Sequence, residues 1–270
     1  MIAQPLSTDP VQPVPIAARA WGLLAGRLCL VLAVSVLMWL FLGATAGMSA
    51  FPPTTMWATL GLLPVNIICL IILVKLYRSQ GLNLREAMGI RYERLGKDIG
   101  WGVLWLMVLN VPFVLAVTGT VWIMYGAQAP QAFATIFISA DAQATMSPVT
   151  LLIIGLIAVL PFILINAPVE ELVFRGYGLT GLQSGLGRVG AILMSSLLFG
   201  AQHIIFAPTI PGMIVYFVAF TVWGATAAVI VIKQGRLFPV IIAHWIINFM
   251  LSAPALVLPV LLLTGVVEQP

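Results

Sequence analysis

Charge is what this 270-residue chain has least of. Lys, Arg, Asp and Glu together make up 7% of it, against roughly 25% in a soluble domain. Hydrophobic residues make up 61%, and the mean hydropathy is +1.12. So few charges cannot cover a water-facing surface, which excludes a soluble globular domain and makes the bilayer the solvent. Cysteine is equally scarce. Cys29 and Cys69 lie apart in apolar runs, so neither a disulfide framework nor a CxxC site is available. Both are expected to be small buried hydrophobes. Alternation in ten-residue segments is missing, which excludes a membrane barrel. Lipid cannot satisfy an open sheet edge, so the expected fold class is an all-α, polytopic transmembrane helix bundle. Residues 1–18 carry one charge, Asp9, and lack the basic start of a cleaved signal peptide. Residues 1–20 are expected to be a flexible tail.

Charge-free windows mark the spans. They run over 28–46, 54–74 and 99–125, then from Pro148 onward, over 189–207 and 212–232, and from Leu237. Most approach the roughly 20 residues that a span needs. About seven spans are expected, with a broken continuation or a short eighth helix after Pro254. The cations mark one side. Arg19 and Arg27 precede the first window, six Lys and Arg lie in residues 75–98, and Arg188, Lys233 and Arg236 lie in later turns. The opposite connections, near 47–53, 126–147 and 208–211, hold no Lys or Arg. Seven spans with a cytoplasmic N-terminus satisfy the positive-inside rule. The net charge of +4 therefore reports topology, and no nucleic-acid partner is expected. Residues 82–95 have two readings, an amphipathic surface helix or a solvated loop. Trp21, Trp101 and Tyr125 near span ends are expected as interfacial anchors.

One stretch breaks the pattern. "NAPVEELVFRGYG", residues 166–178, puts Glu170, Glu171 and Arg175 between apolar runs. The next strong breaker is "SGLGR", 184–188, which closes a helical hairpin. Glu170 stands 14 residues before Ser184, and His203 stands 15 residues after Arg188. At 1.5 Å per residue both lie about 21–22 Å from the turn. The second histidine, His244, has Asn248 one turn on along the same face. The polar residues of the apolar second half thus fall in one layer: Glu170, Glu171, Arg175, His203, His244 and Asn248. Charges inside a membrane are expensive and point to function. Glu171 and Arg175 are spaced i,i+4 for a helical ion pair. Glu170 is turned about 100° away and is the better candidate base. Pro161 and Pro168 are expected to kink the helix beside it.

These residues resemble the CPBP family of CAAX-protease and bacteriocin-processing membrane proteins, also called Abi. The carriers are "EELVFR" from Glu170 to Arg175, "FGAQH" from Phe199 to His203, and "HWIIN" from His244 to Asn248. The resemblance covers roughly residues 150–253 and implies an intramembrane endopeptidase acting on membrane-associated or lipidated peptides and proteins. The eukaryotic branch removes the last three residues of prenylated CAAX proteins. Glu170 and His203 would activate water, and His244 with Asn248 would hold the oxyanion. Glu171 and Arg175 would brace the site, and Phe199 would wall the His203 ring. No cofactor is implied, and the expected location is a bacterial inner membrane. Residues 149–270 would form the catalytic core, and 21–148 the preceding spans with the basic loop at 75–98. Two alternatives stand beside this one. A non-catalytic scaffold, immunity protein or proton-coupled transporter would also bury such residues. A zinc protease would use Glu170, His203 and His244 as ligands.

Overall fold

The computed structural model describes residues 16–47, 51–52, 55–137 and 147–267. Residues 1–15 of the expected tail, 48–50, 53 and 138–146 of the expected outer connections, and 268–270 of the expected core lie outside them. Among the described residues all regular structure is helical, and six helical segments are long and apolar enough to cross a membrane. Large apolar side chains such as Leu37, Met107, Ile123 and Leu164 are exposed on them, as lipid-facing positions require.

Helix α1, Ala17–Ala46, starts before the first charge-free window and includes the end of the expected tail. Arg27 is therefore not a loop charge. It lies inside α1 and is buried, 1% exposed. Helix α2 is Thr55–Arg78. The region read as either a surface helix or a loop is neither in full. Asn83 caps a short α3, Leu84–Met88, through a capping box with Glu86, and Gly89 at φ 73° ends it. A left-handed residue stops a helix at once. After a 3-10 turn, α4 spans Leu95–Tyr125. A short α5, Ala129–Phe133, follows.

The segment Pro148–Phe206 is 59 residues long. It comprises α6 (Pro148–Pro161), a π turn (Phe162–Asn166), α7 (Ala167–Glu171), a longer π stretch (Leu172–Gly178) and α8 (Leu179–His203). Gly187, at φ 65°, interrupts α8, a conformation that costs glycine little and other residues more. The chain reverses there. Phe174 meets Phe199 at 5.1 Å between ring centroids, and Arg175 lies 3.9 Å over the Phe199 ring. Residues equally far from Gly187 are thus level with each other.

Helix α9 spans Ile210–Gln234 and α10 spans Phe238–Ser252. Ala253 keeps helical dihedrals, so α11 (Pro254–Leu263) continues α10 in one 26-residue segment. Cys69 is buried as expected, whereas Cys29 is exposed, because its face of α1 turns away from the other helices.

A bidentate pair of Arg236 with Asp98 ties α4 to the start of α10, with Nη2–Oδ2 at 2.7 Å. Further along, Gly102 lets the two helices touch: a Cβ there would lie 2.5 Å from Ile242 Cγ2 and 3.1 Å from the Pro239 carbonyl. Gly100 has open space instead. Gly102→Leu is expected to lower stability by about 1–3 kcal/mol through overpacking, while Gly100→Leu leaves it unchanged or raises it. Thermal unfolding of both variants in detergent tests the difference.

Candidate active site

The sequence motifs meet where α7, α8 and α10 converge. Pro168 has no N–H to give the Leu164 carbonyl four residues back. That carbonyl accepts a hydrogen bond from Trp245 Nε1 at 3.2 Å. The helix-breaking residue beside the glutamates thus creates an acceptor that draws α10 in, next to His244. The expected kinks take the form of π turns on either side of α7, a geometry that often marks functional sites.

Glu170 and Glu171 are buried, at 1% and 0% exposure. Being successive on a helix, they point to different neighbours. Glu171 Oε1 accepts from Arg175 Nη1 at 3.3 Å, the expected i,i+4 pair, and from His244 Nδ1 at 2.8 Å. Arg175 stacks on Phe199, and Gly224 leaves room for it, since a Cβ there would lie 3.2 Å from Nη2. Glu170, turned away from Arg175, has a different partner. Its Oε1 accepts from Arg27 Nη2 at 2.8 Å. Its Oε2 has no hydrogen-bond partner and lies 3.7 Å from His244 Nε2.

The other motif residues are held from behind. His203 Nδ1 lies 2.7 Å from the Phe199 carbonyl. A carbonyl only accepts, so Nδ1 carries a proton, and Nε2 keeps its lone pair while the ring is neutral. The ring stacks on Phe220 at 3.7 Å and tilts against Phe199 at 4.5 Å. His244 lies 6.4 Å from Phe199 and 5.1 Å from Trp223 between centroids. Asn248 is buried one turn beyond His244, and its Nδ2 has no partner. All six polar residues of the expected layer are therefore buried together on converging helices.

Four further polar residues join them. Arg27 Nε donates to Gln202 Oε1 at 2.8 Å and Nη1 donates to Asn66 Oδ1 at 3.0 Å. Asn66 Nδ2 donates to Asn166 Oδ1 at 2.9 Å. The signal for them was present: Asn66 is a lone amide in an apolar run, Asn166 opens the stretch that holds the glutamates, and Gln202 lies within "FGAQH". Zinc ligation would need three well-placed donors. Among the described residues no three His, Cys, Asp or Glu side chains are grouped to hold a metal ion.

Residues 149–250 match the model of the Rce1-like family, described as type II CAAX prenyl endopeptidase Rce1-like. The match is to the family that the three motifs resemble. No curated protein matches the chain, and neither does any solved structure. The match contains every motif residue of the site, while Arg27 and Asn66 lie before it. With six segments fit to cross a membrane and a region similar to a membrane-protease family, the chain is an integral, multi-pass membrane protein.

Truncating one partner of a buried pair leaves an uncompensated charge, which costs about 3–5 kcal/mol. Arg175→Met is therefore expected to destabilise the fold by about that much. The double variant Arg175→Met/Glu171→Gln is expected to recover part of the loss. A chemical-unfolding cycle in detergent measures the coupling.

Proposed function

We propose that this chain is an intramembrane endopeptidase that hydrolyses a peptide bond of a membrane-associated or lipidated peptide, in the inner membrane of a bacterium. One observation carries the reading: three motifs on separate helices converge in one buried site, within a region matching a CAAX prenyl endopeptidase family.

The chemistry follows from the unpartnered atoms. Glu170 Oε2 takes a proton from a water that His203 Nε2 orients, and the water oxygen attacks the scissile carbonyl carbon. The carbonyl π pair moves to oxygen. Asn248 Nδ2 donates to that oxyanion, and so does His244 Nε2 when its ring is protonated beside Glu171. In a low-dielectric site these donors act far more strongly than in water. When the tetrahedral centre collapses, the C–N bond breaks and the departing amine takes the proton back from Glu170. Glu171 and Arg175 brace the site by holding the His244 ring and the Phe199 wall.

The reversal at Gly187 divides the 59-residue segment, which favours seven passes with the N-terminus in the cytoplasm. Arg188 then lies in a cytoplasmic turn, on the same side as Arg236 and the basic loop.

Glu170→Gln and His203→Ala are expected to abolish cleavage in protein that still folds, and Glu170→Gln also lowers the unfolding midpoint because it leaves the buried Arg27 without its carboxylate. Asn248→Ala is expected to lower kcat by about 10²–10³ with little change in KM, as loss of one oxyanion donor does. Comparing membrane-anchored peptides by mass spectrometry in cells carrying wild type or Glu170→Gln identifies the substrate. A scaffold would keep its phenotype in both variants. Chelator treatment is expected to leave the rate unchanged, and a loss restored by zinc would replace this mechanism with a metal-assisted one.

A further inference from the structure

We infer that Arg27, on the first helix and outside the family-matched region, is a positioning residue for Glu170. The inference rests on the endopeptidase reading. A carboxylate has two equivalent oxygens, and a base works only if one of them is aimed at the reacting water. Arg27 Nη2 holds Oε1 at 2.8 Å and leaves Oε2 without a partner, on the side of His244 Nε2.

Arg27 is itself held, by more than charge. Nε is committed to Gln202 and Nη1 to Asn66, and Asn66 passes a hydrogen bond to Asn166. Asn166 precedes Glu170 by four residues in the same helical segment. The path Glu170–Arg27–Asn66–Asn166 thus leaves that segment and returns to it one turn away. Every member is at most 2% exposed. Gln202 adjoins His203, so the same guanidinium is anchored to both elements that carry the water-activating pair. A lone counter-ion would neutralise Glu170 without fixing which oxygen is free. A planar fork with three separate acceptors fixes it.

The test measures kcat and KM of purified protein on a panel of fluorophore–quencher peptides whose cysteine carries a farnesyl, a geranylgeranyl or no lipid. Arg27→Gln is expected to lower kcat about 10²-fold, the scale of a misplaced reacting group, with KM within about threefold. Arg27→Lys, which restores the charge but not the fork, recovers part of that loss. Glu170→Asp is too short to hold the Arg27 contact, and in that background Arg27→Gln is expected to change kcat by less than about threefold. A merely structural role gives a different pattern: kcat falls only with the folded fraction, and the two losses add in full. That pattern, or an unchanged kcat in Arg27→Gln, overturns the inference. If the Arg27 variants do not fold, Asn66→Ala keeps both charges and decides. A kcat about tenfold lower at constant KM, for a loosened but retained pair, supports the role, and an unchanged kcat overturns it. Wild-type protein that cleaves no probe overturns the endopeptidase reading and this inference with it. Wild type that cleaves no faster than Arg27→Gln overturns the inference alone.

Discussion

Two adjacent carboxylates, both removed from water, govern this structure. Burying a charge without compensation costs far more than a single domain's net stability can absorb. A helix turns by about 100° per residue, so Glu170 and Glu171 are met by different arginines. Glu171 is met by Arg175 from its own segment and by His244 from α10, and Glu170 by Arg27 from α1. The arrangement of α1, α2 and α10 around α7 satisfies both demands at once. Gln202 and Asn66 then accept from the remaining nitrogens of Arg27, and Asn166 accepts from Asn66.

Backbone features serve the same end. A proline in a helix leaves a carbonyl without its usual donor, and lipid offers no replacement. The Trp245 indole supplies one at Leu164, so a local defect becomes a contact between two helices of the site. Small residues do similar work by volume, with Gly102 admitting Ile242 and Gly224 admitting Arg175.

Depth was the most legible quantity in the sequence. Counting residues from the turn at 184–188 places Glu170 and His203 level, and the contacts across Gly187 agree. The Glu171–Arg175 pair was legible too, because i,i+4 spacing is a local property. Arg27 was not. It lies directly before a charge-free window, where a cation is ordinarily a cytoplasmic flank, and the long reach of α1 toward the N-terminus leaves no periodic signal. Its partners are 39, 143 and 175 residues away, and pairing at such separations is a tertiary fact. The surface-helix reading of 82–95 overlooked Gly89, whose positive φ limits α3 to five residues. Cys29 illustrates a further limit. In a chain with apolar residues on every face, composition cannot tell the lipid side from the core.

The ring through Arg27 and Asn66 also bears on modularity. The family-matched stretch carries all the motif residues, yet one of its glutamates is electrically incomplete without the first two helices. Grafted or expressed alone, it would expose Glu170 Oε1 and Asn166 Oδ1 with nothing to answer them. Substitution in the N-terminal helices is therefore constrained at two inward positions, and chimeras between relatives should take α1 and α2 from the same parent as α7 and α8.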